Sequence, residues 1–190
     1  MKLIQNDPVS FLQKKVFKKY SKKTAAVGFK LFYYHAWEDS RKAIWSFLKQ
    51  QKELKIIHIK RINTLKQLLS EKIALKSNIW TNYTGEHEEK MSVEIDYDEC
   101  LEMFIRVQKE RDQGDTYFKN HDKIDVVYED LSTNHVREVK RIQEFLNVAN
   151  ENLKPNTHKQ AHQPLHEAIL NYSSLKKRFK GTPWYAFFED

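Results

Sequence analysis

The chain has 190 residues, of which 40% are apolar and 13% aromatic, and its formal net charge is +7. This composition excludes a disordered protein, and neither a membrane-spanning run nor a secretory signal is present in the sequence. The single cysteine, Cys100, excludes an internal disulfide and is typical of a reducing compartment, so we expect a cytoplasmic protein.

Helical and strand-like patterns alternate along the chain. Apolar spacing predicts helices over residues 8–20, about 40–51, from 64 onward, from Asp96 or Asp98 toward 111, after 133, and over 165–180. Strand-like segments lie at 25–34, 56–59 and 123–131. This alternation indicates an α/β fold with a mostly parallel sheet flanked by helices.

Residues 56–80 are the most informative segment. A β-branched run that begins at Ile56 ends at Arg61, Asn63 supplies a helix cap, and Ser70 lies about two turns into the following helix. This arrangement predicts a guanidinium at a strand end with a hydroxyl near it, and both can contact one anion. A strand, a turn and a surface helix with ordinary charges is the alternative interpretation, and it stays open.

The segment at 123–131, which contains Tyr128, is a second buried-type strand, and a helix follows it. In this order the two segments resemble the PAPS-dependent sulfotransferases, in particular the bacterial carbohydrate branch that includes trehalose and Nod-factor sulfotransferases. In that family a strand ending in Arg and a helix bearing Ser hold the 3′-phosphate of PAPS, and the pattern maps onto Arg61 and Ser70. Tyr128 then faces the nucleotide, unless it is an ordinary core residue. Residues 28–36 and 158–184 extend the resemblance over nearly the whole chain.

The resemblance implies a three-layer fold of the P-loop NTPase-like sulfotransferase type. We expect residues 1–190 to form one such domain that lacks the family's first strand, phosphosulfate-binding loop and helix, because no Arg-Ser-Gly-Ser/Thr sequence is present. The implied reaction transfers a sulfuryl group from PAPS to a hydroxyl of a carbohydrate, without a metal. A missing strand would leave an exposed sheet edge, which favours a homodimer.

Three further side chains are candidates. By the same resemblance, Lys30 is the candidate cation at the reacting group. His35, at the end of the same predicted strand, is the candidate base because histidine titrates near neutral pH, although the family's base histidine would fall at Phe32. Lys159 matches a tail segment that folds over the donor in relatives. Each of these residues has an alternative interpretation: an ordinary strand lysine, an ordinary histidine and a solvated loop lysine, respectively.

Several alternatives remain for the function. Loss of the phosphosulfate loop would also produce a non-catalytic nucleotide-binding or interaction domain. The positive charge fits a nucleic-acid-binding or membrane-surface protein, although no nucleic-acid motif appears. Glu129 and Asp130 either orient basic neighbours or cap the next helix. Three histidines with four-residue spacing are a weak metal pattern, which Pro164 interrupts: His158, His162 and His166.

Overall fold

The fold is rich in helices, and the computed structural model describes residues 7–36, 42–84, 90–157 and 163–189. The elements in chain order are α1 (Pro8–Phe11) with a π-helical turn (Leu12–Val16), a 3₁₀ turn (Tyr33–Ala36), α2 (Ala43–Gln50), β1 (Ile56–Lys60), α3 (Thr64–Ser77), α4 (Tyr97–Tyr117), β2 (Lys123–Val127), α5 (Tyr128–Thr133), α6 (His135–Leu146), α7 (Leu165–Ala168), α8 (Tyr172–Arg178) and a second 3₁₀ segment (Pro183–Phe188). No helix among these residues is both long enough and apolar enough to span a membrane.

The two strands pair directly and in parallel. Ile56 lies opposite Lys123, and Lys60 lies opposite Val127. Because side chains alternate across a strand, one face of this sheet is mainly polar and the other is apolar. Val126 on the apolar face is fully buried, whereas Ile59 on the same face remains 54% exposed. The fold is therefore a helix-rich α/β arrangement with a small parallel sheet, consistent with a sulfotransferase fold.

Most of the buried apolar side chains form one cluster between α3, α4 and the carboxyl-terminal helices. Its largest fully buried members are Phe104, Phe179 and Phe188, and the rings of Phe104 and Phe179 lie 5.4 Å apart. A second cluster surrounds Leu48 on α2 and Phe118 at the end of α4. The two clusters hold α4 in place along its length, and α4 therefore acts as the scaffold beside the sheet.

Long helices begin where the sequence supplies a cap. The Asp96 carboxylate accepts hydrogen bonds from the backbone N–H groups of Asp98 (2.7 Å) and Glu99 (3.3 Å), so Asp96 is the N-cap of α4. This outcome confirms the prediction that a cap at 96 or 98 starts this helix.

Four predicted elements differ in the structure. The strand over 25–34 is wrong: residues 24–32 have no regular structure and are mostly exposed, because β1 and β2 pair with each other and no described strand offers this segment hydrogen bonds. The second strand ends at Val127 rather than 131, since Tyr128 already begins α5. The predicted helices over 8–20 and 165–180 are shorter or interrupted. The first ends with the π-helical turn at Val16, and the second is broken at Ile169, which forms a parallel bridge with Val93 instead of continuing the helix.

Candidate nucleotide-binding site

The turn between β1 and α3 positions the central residue of the predicted site. Asn63 caps α3: its side-chain oxygen accepts a hydrogen bond from the Lys66 N–H (3.0 Å), and its amide donates to the Phe187 carbonyl (2.9 Å). The cap is thus tied to both the helix and the carboxyl-terminal segment. Arg61 lies two residues before Asn63 and directly follows β1, so its backbone is held between the strand and the capped helix.

Arg61, Ser70 and Tyr128 lie together at the carboxyl end of the sheet. The Arg61 guanidinium donates a hydrogen bond to the Ser70 hydroxyl oxygen (Nη2 to Oγ, 3.3 Å), and the Ser70 hydroxyl donates to the Lys66 carbonyl (2.9 Å). The guanidinium carbon lies 4.8 Å from the centre of the Tyr128 ring, a cation–π contact. The structure therefore brings together three of the residues predicted for nucleotide binding.

The Arg61 guanidinium has no carboxylate partner among the described residues. Its Nε atom is buried and makes no hydrogen bond there. Burial lowers the pKa of Arg61, but arginine remains protonated at neutral pH. A partly buried cation with an unused donor is costly unless an anion binds to it, so this arrangement favours an anionic ligand.

Two neighbours hold the Arg61 turn in place. The Glu129 carboxylate, in the first turn of α5, accepts hydrogen bonds from the backbone N–H groups of Ile62 (3.0 Å) and Asn63 (3.4 Å). Arg111 on α4 donates a hydrogen bond to the Arg61 carbonyl, and burial lowers the pKa of Arg111. Glu129 thus binds the backbone of the turn, which differs from both roles considered for it, and Arg111 adds a second cation that the sequence did not single out.

The other predicted site residues are not part of this group in the described structure. Lys30 is exposed on the irregular segment, where its Nζ atom lies 4.7 Å above the Phe32 ring. His35 belongs to the 3₁₀ turn Tyr33–Ala36, but its side chain is outside the described part of the chain. Lys159 is also outside it, as are His158 and His162. The predicted strand for Lys30 is therefore wrong, whereas the roles of His35 and Lys159 stay predictions.

The sequence pattern did not predict a row of hydrogen-bonded side chains on the polar face of the sheet. His58, buried on β1, contacts the Asp115 carboxylate through Nδ1 (3.2 Å) and the Tyr33 hydroxyl through Nε2 (2.5 Å). Burial, followed by the nearby Lys60 charge, lowers the pKa of His58. Burial has the opposite effect on Tyr33, because the charged form of tyrosine is the deprotonated one, and it raises the pKa of Tyr33. These hydrogen bonds join the 3₁₀ turn, β1 and α4, and so fix the 3₁₀ turn against the sheet.

Two lysines complete the same cluster. Lys60 Nζ lies 2.9 Å from a carboxylate oxygen of both Asp115 and Asp125, and Lys123 also pairs with Asp115. Burial raises the pKa of Asp115, but hydrogen bonds from Lys123 and Lys60 outweigh it and hold this pKa well below its usual range. The ligand atoms of His58, Asp115 and Asp125 lie within 4.8 Å of one another, a spacing that would suit a metal. The lysines already neutralise both carboxylates, so the cluster is better described as an ion-pair network.

The sequence model of the Stf0 sulphotransferase family matches residues 39–174, well over half of the chain. The chain belongs to the Stf0 sulphotransferase family. Neither the curated proteins nor the solved structures gave a match.

The Stf0 match includes the elements that form the candidate site. Its range contains β1, α3, α4 and β2, and hence Arg61, Ser70 and Tyr128. Lys30 and His35 precede its first residue. Membership in the Stf0 family supports assignment as a sulfotransferase, and the resemblance identified in the sequence is confirmed at this level.

Proposed function

We propose that this Stf0 family member transfers a sulfuryl group from PAPS to a hydroxyl of a carbohydrate. Arg61 and Ser70 bind the 3′-phosphate of the donor, and Tyr128 contacts its nucleotide. The same proposal assigns β1 and β2 to a three-layer sheet of the P-loop NTPase-like type. In this account no metal takes part.

One observation carries the proposal, namely the buried Nε of Arg61 without a hydrogen-bond partner in the described structure. The guanidinium fork suits a phosphate because it donates two parallel hydrogen bonds to it. The Ser70 hydroxyl, 3.3 Å from the guanidinium, can donate to the same phosphate if it gives up its hydrogen bond to the Lys66 carbonyl. The Tyr128 ring, 4.8 Å from the guanidinium carbon, holds the cation in place by a cation–π contact. These three groups fit a dianionic phosphate better than a neutral ligand.

Binding the 3′-phosphate contributes to catalysis from a distance. PAPS carries its reacting sulfuryl group on the 5′ side, so Arg61 and Ser70 do not touch the reacting atoms in this proposal. Their binding energy fixes the donor in position, and positioning is a large part of the rate enhancement in transfer reactions of this class. Loss of Arg61 should therefore reduce both donor affinity and turnover at low donor concentration.

A transfer assay with sulfur-labelled PAPS tests the reaction. The chain is incubated with the donor and, in separate arms, with the disaccharide trehalose, with a phenol and without acceptor. If the wild type labels the sugar and Arg61→Ala does not, the result supports the proposal. Label on the phenol alone would show that the carbohydrate assignment is wrong.

A non-catalytic nucleotide-binding domain is the second candidate. It is favoured because the assembled group of Arg61, Ser70 and Tyr128 would bind the 3′-phosphate side of the nucleotide and not the reacting atoms. In that case the chain binds 3′-phosphoadenosine 5′-phosphate through Arg61, yet no acceptor is labelled. The transfer assay combined with a binding measurement separates the two candidates.

A further inference from the structure

The positive charge of the chain is concentrated in one segment. Between residues 8 and 37 there is no aspartate or glutamate, and the lysines in that range equal the entire net charge of +7. The rest of the chain is therefore close to neutral. All of these lysines are exposed: Lys14, Lys15, Lys18, Lys19, Lys22, Lys23 and Lys30.

Five of these lysines belong to a closed loop, residues 17–30, which we call the basic loop. The chain reverses at its tip, where the Thr24 N–H donates to the Ser21 carbonyl (3.0 Å). The base is closed by Phe17 and Phe29, whose ring centres lie 6.0 Å apart in an edge-to-face contact. Phe17 also packs against Phe47 on α2, at 6.3 Å. The lysines thus project from a structure that is anchored to the second apolar cluster.

The basic loop and the residues that follow it also expose apolar side chains. Phe29 is 40% exposed, Phe32 41% and Tyr34 62%. Lys30 lies between these rings, with its Nζ atom over the Phe32 ring. No carboxylate in the described part of the chain forms an ion pair with any of the seven lysines. Cations interleaved with exposed aromatic rings are typical of surfaces that rest on a bilayer.

We propose that the basic loop binds the protein to lipid bilayers that contain anionic lipids. The lysines interact with the headgroups, and Phe29, Phe32 and Tyr34 enter the interface between headgroups and acyl chains. The apolar side chains decide between possible partners. A soluble polyanion without bases would use the lysines alone, whereas a bilayer also buries the exposed rings. A nucleic acid whose bases stack on the rings is the alternative that the test below distinguishes.

Vesicle sedimentation with the full chain tests this surface. One set of vesicles contains phosphatidylcholine alone, and the other contains phosphatidylcholine with about one third phosphatidylglycerol. The loop variant replaces Lys18, Lys19, Lys22 and Lys23 with glutamine. The matched control makes the same change of charge at four exposed lysines elsewhere: Lys109, Lys119, Lys154 and Lys177.

We expect binding to the anionic vesicles only. Each lysine removed from the loop should weaken the partition coefficient roughly fivefold, so the four substitutions together should weaken it about 600-fold, whereas the control changes much less. Phe32→Ser should weaken vesicle binding without altering binding to heparin. Equal binding to both vesicle types, or equal loss in the loop and control variants, would overturn the proposal. Binding to heparin or RNA that is tighter than binding to the anionic vesicles would also overturn it, because the surface would then be a site for a soluble polyanion.

Discussion

Asp115 connects the basic side chains on the polar face of the sheet, and Asp115→Asn removes its charge while keeping its size. Its carboxylate pairs with Lys60 and Lys123 and accepts a hydrogen bond from His58. After the substitution, the two lysines share Asp125 alone. We therefore expect the folded state of the variant to be less stable than that of the wild type.

The exposure of these groups limits the size of the effect. Asp115 is 38% exposed, whereas the lysine side chains of Lys60 and Lys123 are 21% and 22% exposed. Solvent screens such pairs, so each contributes about 0.5–1 kcal/mol, and the weaker acceptor of asparagine adds a little more. The expected loss in the free energy of unfolding is about 1–2 kcal/mol.

The loss should depend on pH with a definite sign. Because the pKa of Asp115 is depressed in the folded state, its contribution is complete above the pKa of the unfolded chain, near ~4, and fades as the pH falls through the folded value. The difference between variant and wild type should thus be largest at neutral pH and shrink below about pH 4.

Urea unfolding followed by circular dichroism measures both quantities. Asp112→Asn is the control, because Asp112 is exposed on the same helix and, within the described part of the chain, its carboxylate accepts a hydrogen bond only from Gln108 (2.9 Å). It should change stability by less than about 0.5 kcal/mol. If Asp115→Asn matches this control at pH 7, or if its effect is unchanged at pH 3, the described network does not stabilise the fold.

Two further predictions concern buried groups near the same helix. Gly114→Ala should lower the free energy of unfolding by about 1–3 kcal/mol, because a Cβ atom there would overlap the Tyr33 hydroxyl. In thermal melting, the same substitution should cause little extra loss of stability when Tyr33→Ala is already present. Additive losses would contradict the clash. His121→Leu should raise stability by about 1 kcal/mol, since both ring nitrogens are buried without a hydrogen-bond partner in the described structure; a lower melting temperature would show that the ring has a stabilising partner.

The strand-turn-helix unit around Arg61 could be predicted because its signals are local. A β-branched run, a capping Asn63 and helical spacing lie within 25 residues, and the structure places Ser70 beside Arg61 as the spacing implies. The same reasoning predicted the Asp96 cap. These elements carry their own conformational preferences and need little help from distant residues.

Contacts between distant residues were not predictable in the same way. His58 and Asp115 are 57 positions apart and meet only because α4 packs beside β1. Alternation was the available signal, since His58 and Lys60 share one face of β1, opposite the face of Ile59. The strand expected over 25–34 failed for a related reason: an apolar pattern indicates where a strand can pack, but a strand also needs a neighbour to accept its backbone hydrogen bonds.

Calorimetric titration with 3′-phosphoadenosine 5′-phosphate tests the central claim most directly. The comparison uses wild type, Arg61→Ala and the control Arg178→Ala, which removes another guanidinium that lies over a tyrosine ring, 3.9 Å above Tyr97. Adenosine 5′-phosphate, which lacks the 3′ group, is the control ligand. We expect tight binding only with the 3′-phosphate, a loss of about 2 kcal/mol or more (roughly thirtyfold in Kd) in Arg61→Ala, and no change in Arg178→Ala. Equal affinity for the two nucleotides, or equal binding by wild type and Arg61→Ala, would contradict the assignment of Arg61 to the donor's 3′-phosphate.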